Sequence, residues 1–280
     1  MQLLRVKKDL QFYRQFTDII DVLRGVAASE FRRMHARKKA FNMFIERAEQ
    51  IFRTIPRHLA KDKFFIKREN LPHGLIIVTT DEGFVGNLNS RVIDLAMTNF
   101  AADDEIIVLG ERGSKYLEEL KFPYTYFSGI SDNISLREAA ALTNYIISEY
   151  LTDKICSASI IWPRFVSFSI QRVETFDLLP CDFLLAGKSD MCDIRELLVE
   201  PSWGEVMQRL VRMWMLQRVY DVFWESKMSE WATRLSSLEA GHDELKNINE
   251  KLYQKYFHFL HELQDRDIRE IFASKKLWNK

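Results

Sequence analysis

Two glycine-bearing loops, a handful of histidines and three cysteines are the residues of this chain whose types could do chemistry. Asp81, Gly83 and Gly86 follow a β-prone run, where a phosphate-binding loop would stand. The Lys-Ser/Thr pair that would grip phosphate and metal is missing, and so is a GxGxxG pattern. A strand-to-helix turn needs glycine for its backbone geometry alone, and Gly110-Glu-Arg-Gly-Ser-Lys115 reads in the same way. Of the histidines at 35, 58, 73, 242, 258 and 261, only His258 and His261 share a helical spacing, and neither has a cysteine nor an HExxH context. A metal site is not expected. Cys156, Cys181 and Cys192 are odd in number and lack CxxC spacing, which indicates neither a disulfide framework nor a zinc site and fits a reducing compartment. With no paired acids and no nucleophile beside a base, the sequence predicts no catalytic residue and no cofactor.

Composition points to what must position these loops. The chain has 280 residues, 47% of them hydrophobic, enough for one sizeable core or two small ones. Forty Lys plus Arg balance forty Asp plus Glu, so no global charge draws it to nucleic acid or to an anionic membrane. The basic run Arg32, Arg33, Arg37, Lys38, Lys39 reads as a solvated helix face, with some of it able to meet an acidic partner. Only ten glycines and six prolines occur, which favours long helices. Residues 1–10 lack the apolar core of a signal peptide. The longest apolar runs fall far short of the roughly 20 residues that a membrane span requires. The expectation is a peripheral protein without direct membrane insertion.

From Leu3 to Pro56 apolar residues recur at helical spacing through Tyr13, Phe16, Ile20, Leu23, Ala27, Phe31, Met34, Phe41, Ile45, Ala48, Phe52 and Ile55. One long helix is predicted, with the steps of four at Leu23, Ala27 and Phe31 read as a local change of supercoil. In the last third, Met228, Trp231, Leu235, Leu238, His242, Leu245, Asn249, Leu252, Tyr256, Phe259 and Leu263 step by three and four, the pattern of a coiled-coil seam. Ser202 stands three residues before Glu205 as an N-cap, so this helix is predicted from Trp203 nearly to the end, on the order of 100 Å. Such a length demands a partner, and the N-terminal helix is the natural one. Between them, strands are predicted at Leu75–Thr80, Glu105–Leu109, Ser157–Trp162 and Phe168–Phe176, and helices at Leu88–Asn99, Gly113–Leu120 and Leu136–Tyr150. The fold class is therefore α+β or α/β: a long antiparallel coiled coil of the N- and C-terminal helices (1–60 and 202–280) with a Rossmann-like α/β domain (71–201) inserted.

Several stretches resemble the gamma subunits of F-type ATP synthases. Ile19 and Val26-Ala-Ala-Ser29 followed by Phe31-Arg-Arg33 are similar to that family's N-terminal Val-Ala-Ala-Ser-Lys-Leu-Arg-Arg, with Glu30 in place of the Lys. Residues 79–93, Thr-Thr-Asp-Glu-Gly-Phe-Val-Gly-Asn-Leu-Asn-Ser-Arg-Val-Ile, resemble its Thr-Ser-Asp-Arg-Gly-Leu-Cys-Gly-Gly-Leu-Asn-Ser-Asn-Val-Ile. Gly110 and Gly113, Phe165-Val-Ser167, Gln171, Leu178-Leu-Pro180, Glu200-Pro-Ser202, and then Tyr220, Glu225, Ser226, Ser229, Glu230 and Arg234 continue the likeness in order. There are departures. Gly25 stands where Met is usual, Phe257 replaces an Asn after Tyr256, and Leu260 with His261 stand where the family has Arg-Gln. Glu270 and Ile271 keep part of a Glu-Ile-Val, whereas Lys275, Lys276, Trp278 and Lys280 depart from a small apolar tail.

The resemblance implies a central rotor shaft without catalysis of its own. It would couple ion flow through a membrane ring to ATP synthesis or hydrolysis in an alpha/beta hexamer. Its implied partners are the alpha and beta subunits, epsilon and the membrane c-ring. The implied location is peripheral, on the cytoplasmic face of a bacterial inner membrane or the mitochondrial or plastid equivalent. Candidate hexamer contacts are Arg32, Arg33, Asp243, Phe257, Leu260, His261, Glu270 and Ile271. The alternatives are a gamma-derived coiled-coil scaffold without torque, and a nucleotide-binding α/β enzyme with helical arms.

Overall fold

A computed structural model describes residues 2–37, 42–54, 62–66, 68, 70–101, 103–185 and 199–278. Lys38, Lys39, Phe41, Ile55, Pro56, His58, Cys192 and Lys280, singled out in the sequence, lie outside the described residues. The chain forms two compact units, one of residues 1–29 with 235–280 and one of residues 30–234. Helix α1 (Gln2–Arg37) and helix α6 (Trp203–Trp278, 76 residues) each contribute to both. No helix among the described residues is long and apolar enough to cross a membrane.

The first unit is an antiparallel helix pair. Asn249 donates through Nδ2 to Thr17 Oγ1 at 3.0 Å, His242 Nε2 lies 3.3 Å from Asp21, and the Arg14 guanidinium lies 4.7 Å above the Tyr253 ring. Position rises along α1 as it falls along α6. On α6 the predicted stripe from Leu235 to Leu263 is buried or half-buried at every position. On α1 the covered positions include Val6, Leu10, Tyr13, Thr17, Ile20, Arg24 and Ala27, which alternate by fours and threes. Phe16 and Leu23, expected in the seam, are instead 40% and 37% exposed. The heptad runs through the polar Thr17 and Arg24, so no change of supercoil is needed. The apolar residues beside them, with Phe12, Ile19 and Val22, form an outward face.

The second unit is built on a five-stranded sheet of order β3-β2-β1-β4-β5. Strands β1 (His73–Val78), β2 (Glu105–Leu109), β3 (Thr125–Phe127) and β4 (Ser157–Ser167) run parallel, and β5 (Ile170–Leu179) pairs antiparallel at the edge. Near-continuous apolar runs such as Leu75-Ile-Ile-Val78 are what a strand covered on both faces requires. One face, with Ile76, Val78, Ile107 and Ile160, packs with α2 (Asn42–Thr54), α5 (Leu136–Leu151) and the first part of α6. The other, with Leu75, Ile77, Ile106 and Ile161, packs under α3 (Leu88–Asn99) and α4 (Glu111–Leu120). The expected N-cap holds: Glu205 N–H donates to Ser202 Oγ at 3.3 Å.

The differences from expectation have local causes. The single helix over 3–56 is described as α1 and α2, and α2 buries Ala48 and Phe52 in the core of the α/β domain. Strand β1 ends at Val78, not Thr80: the Thr79 hydroxyl bonds Leu109 O at the end of β2, and the Thr80 N–H turns to Asn89 Oδ1 in the following helix. Strand β4 continues through Pro163 to Ser167, since its last β1 partner is Ile161 and beyond it the proline interrupts no ladder on that side. Phe168 is then a turn residue and β5 begins at Ile170. Strand β3 has three residues and left no pattern to read.

Candidate functional site

In an open α/β sheet ligands bind outside the carboxyl ends of the strands, where strand order reverses, here between β1 and β4. The loop after β1 lies there, and its polar groups are spent on the neighbouring β2, α3 and α4. Thr79 Oγ1 donates to Leu109 O at 2.6 Å and accepts from Gly113 N–H at 3.0 Å. Thr80 N–H donates to Asn89 Oδ1 at 3.2 Å, and Asn89 returns a bond to Thr80 Oγ1 at 2.8 Å. Asp81 Oδ1 accepts from Glu111 N–H at 3.0 Å, so the N-terminus of α4 already holds a carboxylate where a phosphate would bind. Gly110, at φ +96°, could not carry a Cβ, which would come within 2.5 Å of Thr79 O. The glycines serve turns and close packing.

The crevice itself is filled by α6. Trp162 Nε1, just past the part of β4 that pairs with β1, donates to Glu225 at 2.9 Å, and Ser229 Oγ donates to Pro163 O at 2.8 Å. One turn further, Lys227, Glu230 and Arg234 are all buried. Glu230 bridges the two cations, at 3.0 Å from Lys227 Nζ and 2.7 Å from Arg234 Nη2. Lys227 also meets Asp132 at 3.2 Å in the loop after β3, while Arg234 donates through Nε to Gly83 O at 3.2 Å and lies 3.5 Å from Glu82. This network was not read from the sequence, although charges interleaved with Met228, Trp231 and Leu235 on one helical stretch were a visible signal.

A second polar feature lies at the other end of the strands, where β1 and β4 begin, beside a cavity of about 540 Å³ lined in part by Arg68, His73, Cys156 and Asp177. His73 is held between Ser157 Oγ at 2.6 Å from Nδ1 and Ser159 Oγ at 2.7 Å from Nε2. Burial lowers its pKa, against the opposing charges of Asp104 and Asp177, so the neutral ring is favoured, donating on one side and accepting on the other. Burial pushes the Cys181 thiol up, leaving it an inert core group. Among the described residues no cluster of His, Cys, Asp and Glu is arranged to hold a metal.

The residues proposed to meet a hexamer are not gathered into one cluster by the chain itself. Arg32 is exposed on α1, and its neighbour Arg33 is half-buried, paired with Glu30 and donating to Asp132 O at 3.4 Å. Asp243 is exposed, 3.5 Å from His242 Nδ1. On the far part of α6, Phe257 is 50% exposed against Tyr253 and Tyr256, Leu260 is half-buried, and His261 is exposed. Glu270 lies 3.7 Å from Arg266 on the exposed end, next to Ile271 at 57% exposure.

Comparison with known proteins agrees along the whole chain. The sequence model of the family described as ATP synthase matches residues 2–271. The ATP synthase gamma chain of Mycoplasmopsis synoviae is 25% identical over 99% of both chains, and that of Clostridium beijerinckii is 22% identical over 99% of this chain and 98% of the other. A chain from the rotor of the Euglena gracilis mitochondrial ATP synthase superposes with a TM-score of 0.70 at 16% identity, over 94% of this chain and 98% of that one. One from the central stalk and c-ring structure of the Tetrahymena thermophila enzyme gives 0.63 at 21% identity, over 80% and 99%. A helix pair closed by its own seam, a ligand crevice occupied by α6 and this match from end to end lead to one conclusion: the chain belongs to the ATP synthase gamma-chain family.

Proposed function

We propose that this chain is the central rotor shaft of an F-type rotary ATP synthase or ATPase. It couples ion flow through a membrane ring to ATP synthesis or hydrolysis in an alpha/beta hexamer, and the catalysis belongs to the hexamer. The observation that supports this best is the filled crevice. The place where an α/β domain would bind a nucleotide is taken by Trp162–Glu225, Ser229–Pro163 and Arg234–Gly83 contacts, so the domain grips a helix instead of a ligand. This counts against the enzyme alternative.

The partners in this reading are the alpha and beta subunits, epsilon and the c-ring. The complex is peripheral to its membrane, and we assign it to the cytoplasmic face of a bacterial inner membrane or the mitochondrial or plastid equivalent. Arg32, Arg33, Asp243, Phe257, Leu260, His261, Glu270 and Ile271 are the proposed contacts with the hexamer, and the outward apolar face of α1 supports such a role because it offers area to a surrounding surface. Asymmetric contacts of this kind, turned past each catalytic interface in sequence, shift that interface between conformations. Affinity purification of the tagged chain from its native cells tests the reading. Alpha- and beta-type subunits should copurify in stoichiometric amounts, and their absence would remove its main support.

A further inference from the structure

A shaft works only if the α/β domain cannot slip on the helix that it grips. An apolar stripe alone resists slip poorly, since moving a helix by one turn, about 5.4 Å, presents a similar stripe again. Buried charges behave differently, because each demands a partner at a fixed distance and direction.

The side chains of Lys227, Glu230 and Arg234 are 8%, 5% and 6% exposed. Two cations thus share one buried anion, and the helix alone carries an uncompensated positive charge. Compensation comes from two loops of the α/β domain: Asp132 after β3, at 3.2 Å from Lys227, and Glu82 after β1, at 3.5 Å from Arg234. Gly83 O takes the Arg234 Nε proton at 3.2 Å, and the Trp231 ring lies 4.3 Å beneath that guanidinium. Asp132 also accepts from Arg33 of α1 on its backbone oxygen at 3.4 Å, so one loop residue touches both terminal helices.

We propose that the Lys227–Glu230–Arg234 triad, closed by Asp132 and Glu82, is the latch that carries torque between α6 and the α/β domain. Its members are positioning residues: they touch no substrate and act by fixing the angle of the domain on the helix. Twisting the domain about α6 draws both loop carboxylates away from buried cations at once, whereas apolar neighbours would slide. The proposal rests on the rotor reading.

The experiment uses the assembled complex, with the hexamer fixed to a surface and a probe on the α/β domain of this chain, and reads the angular variance of the probe within a catalytic dwell. Asp132→Ala and Lys227→Met each remove the same one of two parallel links, so the variance should rise by about twofold, with little further rise in the double variant. Asp132→Glu should bring it back toward the parent value. Glu82→Gln alters a carboxylate that is 76% exposed, and should loosen the other link. Variances equal to the parent in Asp132→Ala and Glu82→Gln complexes that still rotate would overturn the latch alone. A parent complex that does not rotate would overturn the rotor reading beneath it.

Discussion

Single residues decide this molecule where charge is taken out of water. His73 is an example whose consequence can be measured. Burial favours its neutral form in the folded chain, while the unfolded chain protonates it as the pH falls below 6.5. The unfolded state then binds more protons, so His73 contributes a loss of stability that begins near that pH and is complete below the folded pKa. His73→Gln should remove this contribution. The difference in melting temperature between the parent and His73→Gln should be constant above about pH 7.5 and shift against the parent at lower pH. A difference independent of pH from 7.5 to 5.5 would contradict the assignment. The sequence offered His73 only as one histidine among six, because the serines that hold it lie more than 80 positions away on β4. Lys227 and Asp132 are hidden in the same way, by a sheet topology that brings the β3 loop to α6. The glycines of the β1 and β2 loops were legible, since their need for close packing is local.

Elements were easier to read where their period was long and regular. Helices α3 and α5 and the α6 seam follow from repeated apolar spacing, whereas β3 offers three residues and no period. The α1 seam was misread because apolar identity was followed where geometry required Thr17, which meets Asn249 of α6, and Arg24, which pairs with Asp21 on its own helix. Leu238 lies in that seam at 2% exposure. Leu238→Asp puts a carboxylate in place of a buried leucine and should cost about 3–5 kcal/mol. Urea unfolding of the isolated chain measures this, and an unaltered midpoint would argue against the pairing. Farther along α6, at the contacts proposed with the hexamer, Phe257 and Leu260 would offer only ring area and an aliphatic chain, and His261 an imidazole, where the family's Asn, Arg and Gln would offer several directional donors. In a conventional hexamer the facing polar groups would lose partners, each at about 1–3 kcal/mol if buried, enough to slow a rotary step by roughly tenfold. ATP-driven rotation of such a hybrid should be slow and should recover with Phe257→Asn, Leu260→Arg and His261→Gln. Full speed before those substitutions would mean that the surface works by shape alone.

At the scale of the whole molecule, function follows from what each part has available to bind. The α/β domain has the order β3-β2-β1-β4-β5 and the switch point of a ligand-binding sheet, but its crevice holds α6. The helix pair has a closed seam on one side and exposed Phe12, Phe16, Ile19, Val22 and Leu23 on another, surface suited to a surrounding partner. This arrangement suits a part that is turned. The most direct test immobilises the assembled alpha/beta hexamer, attaches a probe to the exposed Lys115 side of the α/β domain, and follows its angle after ATP is added. The account predicts stepwise rotation in one direction that stops when ATP is removed. ATP hydrolysis by the assembled complex with a probe that stays still would contradict it.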